Sequence, residues 1–385
     1  MIDTLYIHAG SHKTGSSSIQ SFLRLNRKEL LGQNILVSNI KGMIGGGVDQ
    51  SSIGVNFQAF KRLSKLKAER VIISREMLFW VNDIDSLIGL KDALQRVARE
   101  VRIIFYLRRQ DYLAVSHKQE GAKHVEKRSK TLRAYGNTVT ALPETLTPLA
   151  AGFLDYETRL SMWAEVFGVE RMVVRVFENE RLKGGDVVED FCDIFDFNPH
   201  DYRLAGKKNE SFTRTSQLFL HQSGEQFNSC EAEKKLLVKA VRRVDEKLKD
   251  REKLLPSRKQ AMDFYQQFKE GNIRLNEFLK ISPTEAIFND DFSQYPEIAN
   301  EQRLTEQQLH QMYAKVFSHL SLKKQAKTRV RDIRLSRRIR DVSLTLPVEY
   351  RQQTVELLKI ARKLNSKDPT IRKKLQELNS SENST

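Results

Sequence analysis

The residues best equipped for chemistry lie near the start of the chain, in Gly10-Ser11-His12-Lys13-Thr14-Gly15-Ser16-Ser17-Ser18. The short apolar run Leu5-Tyr6-Ile7-His8 precedes this segment. A helical pattern follows it, with Ile19, Phe22, Leu23 and Leu30 on one face and Gly32 as the stop. A strand–loop–helix junction of this kind turns backbone N–H groups and the positive end of the helix dipole toward an anion. Lys13 adds a full positive charge, and the five hydroxyls of Ser11, Thr14, Ser16, Ser17 and Ser18 add donors. A loop for a nucleoside triphosphate, G-x4-G-K-[ST], sets its lysine after the second glycine. Here Lys13 precedes Gly15, so the spacing specifies an anion cradle without a Mg²⁺-triphosphate site.

Lys13-Thr14-Gly15-Ser16-Ser17 resembles the 5′-phosphosulfate loop of sulfotransferases that use 3′-phosphoadenosine 5′-phosphosulfate, with Ser16 keeping the hydroxyl where threonine is usual. The whole run Tyr6–Gly15 is similar to the bacterial and glycan-type branches of that family. A second motif extends the resemblance. The strand pattern Val101–Leu107 ends in Arg108, and Ser116 follows on the next helix with seven residues between. The family uses this Arg-x7-Ser arrangement to grip the 3′-phosphate. An arginine fork at a strand's C-terminal edge and a hydroxyl on the following helix can close on one phosphate. Leu107-Arg108-Arg109-Gln110-Asp111-Tyr112 resembles the Leu-Arg-Arg-Gln-Asp run of bacterial members. Weaker echoes occur at Leu154-Asp155-Tyr156, Trp163, Phe167-Gly168, Phe177-Glu178 and Asp190-Phe191. The Arg-Lys-Gly loop that closes the cofactor site in cytosolic members has no counterpart here. The nearest substitute is Gly206–Ser211, with Lys208 as its cation.

Sulfuryl transfer needs in-line geometry, stabilisation of charge on the leaving oxygen, and a base for the acceptor proton. The resemblance implies Lys13 at the bridging oxygen and Thr14, Gly15, Ser16, Ser17 and Ser18 around the 5′-phosphate, with no metal. The base stays open between two residues. Glu76 sits just past the strand Val71–Ser74, on the edge where open parallel sheets build their sites. His12 adjoins Lys13. His8 reads as a strand residue, His117 as facing away from the phosphate contact of Ser116, and Phe79 and Trp80 as core.

These residues need elements to hold them. Val71–Ser74, Val101–Leu107 and Met172–Val176 read as strands, and Tyr156–Phe167 reads as an amphipathic helix. Asp111 reads as the N-cap of a helix running from Tyr112 to Gly121. The alternation predicts an α/β fold with a P-loop-like central parallel sheet flanked by helices and a helical C-terminal extension. We expect a sulfotransferase-like α/β domain over residues 1–300, with a loop or lid at 123–152 where Thr and Pro dominate, and a basic helical extension over 301–385. Val355, Leu358, Ala361 and Leu364, followed by Asp368-Pro369, predict a helix pair at the end.

No stretch approaches the ~20 apolar residues of a spanning helix. The first residues run into a β pattern rather than a signal-peptide pattern. Cys192 and Cys230 give neither a disulfide framework nor a metal site, and a cytoplasmic setting is expected. The formal charge is +16, and half of that excess lies between Lys323 and Arg340, where nine Lys and Arg face the single acid Asp332. That stretch reads as a solvated basic helix or a contact to an anionic surface. The glycan-branch resemblance makes a carbohydrate or glycolipid the expected acceptor. Two alternatives remain: a P-loop kinase-like nucleotide enzyme, against which the place of Lys13 counts, and a non-enzymatic nucleic-acid-binding protein, whose basic stretch lacks interleaved aromatics.

Overall fold

The computed structural model describes residues 1–38, 44–46, 53–55, 63, 68–123, 134–136, 138–204, 211–224, 231–319 and 329–380. Among the described residues seven strands are formed: β1 Ile2–Gly10, β2 Ile35–Val37, β3 Ile44–Gly46, β4 Ile53–Val55, β5 Arg70–Ser74, β6 Ala98–Leu107 and β7 Met172–Val176. Five of them make one sheet in the order β2-β5-β1-β6-β7, with every pairing parallel, and β3 and β4 pair antiparallel apart from it. The first helices are α1 Ser16–Leu25, α2 Arg27–Gly32, α3 Ile84–Gln95, α4 Gln110–Gly121, α5 Pro148–Leu154, α6 Tyr156–Phe167 and α7 Val187–Asp193. The fold is α/β, as the alternation of elements predicts.

Side chains alternate across β1 and its neighbours, so each face of the sheet buries its own cluster. Leu5, Ile7, Ile73 and Phe105 pack under α3, α4 and α6 on one face. Ile72, Ile104 and Tyr106 pack with Ile19, Phe22 and Phe191 of α1 and α7 on the other. The chain steps from β1 out to β2, back to β5, and then past β1 to β6 and β7. The strand order therefore reverses around β1, and a crevice opens at its C-terminal end.

Three sequence expectations change in detail. The single helix expected from Ile19 to Gly32 is two, because buried Asn26 breaks it. The Asn26 amide donates to the carbonyls of Phe22 and Arg203, both at 2.9 Å. Asp111 does not cap α4. Its carboxylate is buried, accepting from Arg109 at 2.8 Å and from the Tyr295 hydroxyl at 2.7 Å, and Arg109 stands at the cap position. Within the expected lid, 124–133 and 137 lie outside the described residues. Its far end is helical, since Thr147 accepts from the Ala150 N–H and starts α5 at Pro148.

The rest of the described chain is mainly helical: α8 Arg214–Gly224, α9 Glu231–Asp245, α10 Arg258–Leu279, α11 Glu306–Ser318, α12 Arg329–Leu344, α13 Arg351–Leu364 and α14 Pro369–Ser380. Phe212, Leu218 and Val241 join Val316, Ile339, Leu358 and Leu375 in a separate helical core. Helix α10 instead packs on the sheet domain through Ala261, Phe264 and Tyr265. Its Asn272 exchanges amide hydrogen bonds with Gln110 at the start of α4, at 2.8 and 3.1 Å.

Candidate active site

The loop after β1 is held by its own backbone and small side chains. Gly10 has φ 115°, and a Cβ there would lie 3.1 Å from the Glu76 carbonyl and 3.2 Å from the Phe79 Cβ. Glycine thus lets the 3₁₀ turn Glu76–Trp80 close over the end of β1. The N–H and hydroxyl of Ser11 both donate to the Tyr106 carbonyl, at 2.9 and 3.0 Å, which ties the loop to β6. The Thr14 and Ser16 hydroxyls donate to the Ser11 carbonyl at 2.7 and 3.1 Å. These two hydroxyls shape the loop, and the exposed hydroxyl is that of Ser17, with Ser18 half-buried. Gly15 stands at the N-cap of α1 with φ 77°, and a Cβ there would lie 2.6 Å from Val187 Cγ1. Among the described residues no side chain caps α1, and its first turn holds no acid. The Ser18 N–H donates to the Gly15 carbonyl at 2.8 Å, and the N–H groups of Ser16 and Ser17 are left for an acceptor from outside the helix.

The two arginines after β6 diverge. Arg108 turns to the loop and donates to the Lys13 carbonyl at 3.0 Å, its guanidinium lying over the rings of Tyr112 and Phe177. Burial lowers its pKa, and the neighbouring Tyr295 and Asp111 oppose that shift. Arg109 is fully buried. It clamps Asp111 with two hydrogen bonds and donates to the carbonyls of Asn289 and Asp291 at 2.8 and 2.7 Å.

Helix α4 is buried on nearly every side. Its partly exposed residues are Tyr112, Ser116 and Glu120, spaced by four and so aligned on one face. That face borders the loop: Lys13, with φ 61°, reaches the Glu120 carboxylate at 3.3 Å. Lys123 reaches the same oxygen at 2.7 Å. Burial would raise the Glu120 carboxyl, but the Lys123 and Lys13 ammoniums outweigh it and hold the pKa at about 2. Burial lowers the Lys123 ammonium despite that carboxylate. Sequence reasoning missed Glu120 and Lys123. The available signal was the step of one helical turn from Ser116 to Glu120.

Glu76 lies on the turn over Gly10 and accepts a hydrogen bond from Gln20 of α1. Buried Arg159 positions this turn by donating to the carbonyls of Phe79 and Val81, at 2.7 and 2.8 Å. His12 points the other way from Lys13, into an aromatic group, with ring centroids 6.0 Å from Trp80 and 5.8 Å from His117. His117 is buried and stacks on Trp80, away from the face that carries Ser116. Burial, then the charges of His12, Lys13 and Arg108, hold its pKa well below the usual histidine value. His8 is buried in β1, its ring Nδ1 2.8 Å from the Ser74 hydroxyl. Phe79 and Trp80 are core. Lys208 and Lys323–Lys327 lie outside the described residues.

The structure therefore brings Lys13, Thr14, Gly15, Ser16, Ser17, Ser18 and Arg108 to one crevice, with Ser116 on its α4 wall and Glu76 at its β5 side. Among the described residues no cluster of His, Cys, Asp and Glu is arranged to hold a metal ion, and no helix is long and apolar enough to cross a membrane.

No family model matches the chain. An uncharacterized protein of Archaeoglobus fulgidus is 22% identical over 206 residues, covering 53% of this chain, and the chain spans about half (52%) of that curated relative's length. A solved sulfotransferase from Alicyclobacillus acidocaldarius is similar at a TM-score of 0.36 and 14% identity, over 63% of this chain and all of that one. Likeness of that order fixes no activity, and the functional reading rests on the site.

Proposed function

We propose that the protein is a sulfotransferase that moves a sulfuryl group from 3′-phosphoadenosine 5′-phosphosulfate to a hydroxyl or amine of a carbohydrate or glycolipid acceptor. The observation that carries this reading is the 3.0 Å hydrogen bond from Arg108 to the Lys13 carbonyl, which joins a cation after β6 to the anion loop after β1. A donor with two separate phosphate groups needs two such neighbouring sites. The residues fit it: two glycines at positive φ whose Cβ atoms would crowd their neighbours, an N-terminal helix turn without an acid, and two cations.

In this reading the backbone N–H groups of Thr14–Ser17, with the hydroxyls of Ser17 and Ser18, hold the 5′-phosphate, and Arg108 with Ser116 holds the 3′-phosphate. Lys208 contributes from the segment 205–210. Lys13 supplies positive charge where the leaving oxygen gains negative charge. Glu76 takes the acceptor proton, and His12, set among aromatic rings, is the alternative base. The basic stretch Lys323–Arg340 meets an anionic surface. The donor brings the transferable sulfuryl group, and the chain binds and orients it without a metal.

Calorimetric titration with 3′-phosphoadenosine 5′-phosphate tests the reading. Binding that is unchanged by EDTA is expected. Failure to bind, or an absolute need for Mg²⁺, would overturn it and favour the kinase-like alternative.

A further inference from the structure

Lys13 is the cation on which the proposed chemistry depends, yet its ammonium is held by a carboxylate outside the loop, Glu120, at 3.3 Å. Its backbone carbonyl accepts from Arg108, its φ is 61°, and its side chain runs to Glu120 on α4. To give its charge wholly to an anion cradled by the first turn of α1, this ammonium has to give up Glu120. Abandoning a partly buried carboxylate is normally costly, because its charge stays uncompensated. Here a second ammonium, Lys123, already sits on the same oxygen at 2.7 Å.

We propose that Glu120 is a positioning residue that docks Lys13 until an anionic donor enters the loop, with Lys123 as the partner that stays behind. This rests on the sulfotransferase reading for the identity of the donor, though not for the exchange itself. The carboxylate competes with the donor for Lys13, and Lys123 weakens that competition by sharing the oxygen. The depressed pKa of Glu120, held down by the Lys123 and Lys13 ammoniums, means that it remains charged, and the competition persists, across the physiological range. Both Lys13 and Glu120 are about one-third exposed, at 32% and 31%, so the exchange is of surface ion-pair size.

The test is a set of calorimetric titrations of the full chain with 3′-phosphoadenosine 5′-phosphate and, separately, with inorganic phosphate. Wild type, E120Q, K123M and the double variant are compared. E120Q should bind both anions about two- to fivefold more tightly, and K123M should bind them more weakly by a similar factor. The double variant should bind like E120Q, because Lys123 acts only through Glu120. A general field effect would leave the K123M penalty intact in the E120Q background, and that additivity would overturn the proposal. Weaker binding by E120Q would overturn it too. K123Q replaces K123M if thermal unfolding shows K123M to be misfolded. If phosphate gives the non-additive pattern while the nucleotide does not bind, the docking role stands and the sulfotransferase reading falls. If the wild type binds the nucleotide and the effects are additive, the docking role falls and the sulfotransferase reading stands. A wild type that binds neither anion overturns both.

Discussion

Arg108 donates to the Lys13 carbonyl, while Arg109, one residue on, is sealed against Asp111, Asn289 and Asp291. Their substitutions should therefore separate. Arg108→Ala removes a charged contact to the 3′-phosphate and should weaken nucleotide binding by about 1.5–3 kcal/mol, with little change in the urea midpoint. Arg109→Met strands the buried Asp111 charge and should cost about 3–5 kcal/mol of stability, read from the same denaturation curves. Lys13→Ala should lower kcat more than affinity, since its charge matters most as the leaving oxygen gains charge. Equal affinity losses for Lys13→Ala and Arg108→Ala with unchanged kcat would show that Lys13 is not at that oxygen. Glu76→Gln keeps the shape and the Gln20 contact but removes the basic carboxylate. It should lower kcat by roughly 10²–10⁴ and leave nucleotide affinity alone. Near-normal turnover would move the base to His12.

At the scale of elements, the junction of β1, the loop and α1 was legible in the sequence. A short apolar run meeting Gly, Ser and Lys before a helical period leaves few other local structures. Gly15 is the sensitive point, because its φ of 77° and its contact with Val187 both resist a side chain. Gly15→Ala should cost about 1–3 kcal/mol by denaturation and weaken nucleotide binding as well. Adding Val187→Ala should recover part of the stability, since it relieves the contact and leaves the backbone cost. No recovery at all would place the whole penalty in the backbone. The break at Asn26 was not legible, because the carbonyl that holds its amide belongs to Arg203, far along the chain. The burial of α4 was equally hidden. Its polar residues Gln110, Asp111, Lys118 and Gln119 are all buried, against Asn272 of α10, Tyr295, Thr138 with Thr140, and the Leu254 carbonyl, all distant from α4 in the chain.

Across the whole molecule, α4 joins the two cores, since its start packs in the sheet domain and Ala122, just beyond its end, belongs to the helical core. Lys118 marks the joint. It is buried, donates to the hydroxyls of Thr138 and Thr140, and burial lowers its pKa to about 8 despite the charges of Glu144 and Glu301. Unfolded, the same ammonium titrates near its ordinary value of 10.5. Between these values the unfolded chain binds the extra proton, so this group makes stability rise as pH climbs through that window. Lys118→Met should therefore be more stable than wild type at pH 7, on the order of 1–3 kcal/mol, with the advantage fading as the pH approaches 10.5. A difference that does not change with pH would show that Lys118 does not titrate in this way. The sequence by itself determined the strands read at residues 71–74, 101–107 and 172–176, which the structure extends to 70–74 and 98–107, the anion loop after β1, and the helical character of the C-terminal part, because periodicity and turn chemistry act over a few residues. Tertiary structure alone decided that Arg109 is sealed against Asp111, Asn289 and Asp291 and that Lys13 meets Glu120. Those outcomes depend on β1 lying beside β6 in the register that sets Gly10 against Phe105, and pairing between strands so distant in the chain leaves no local pattern to read.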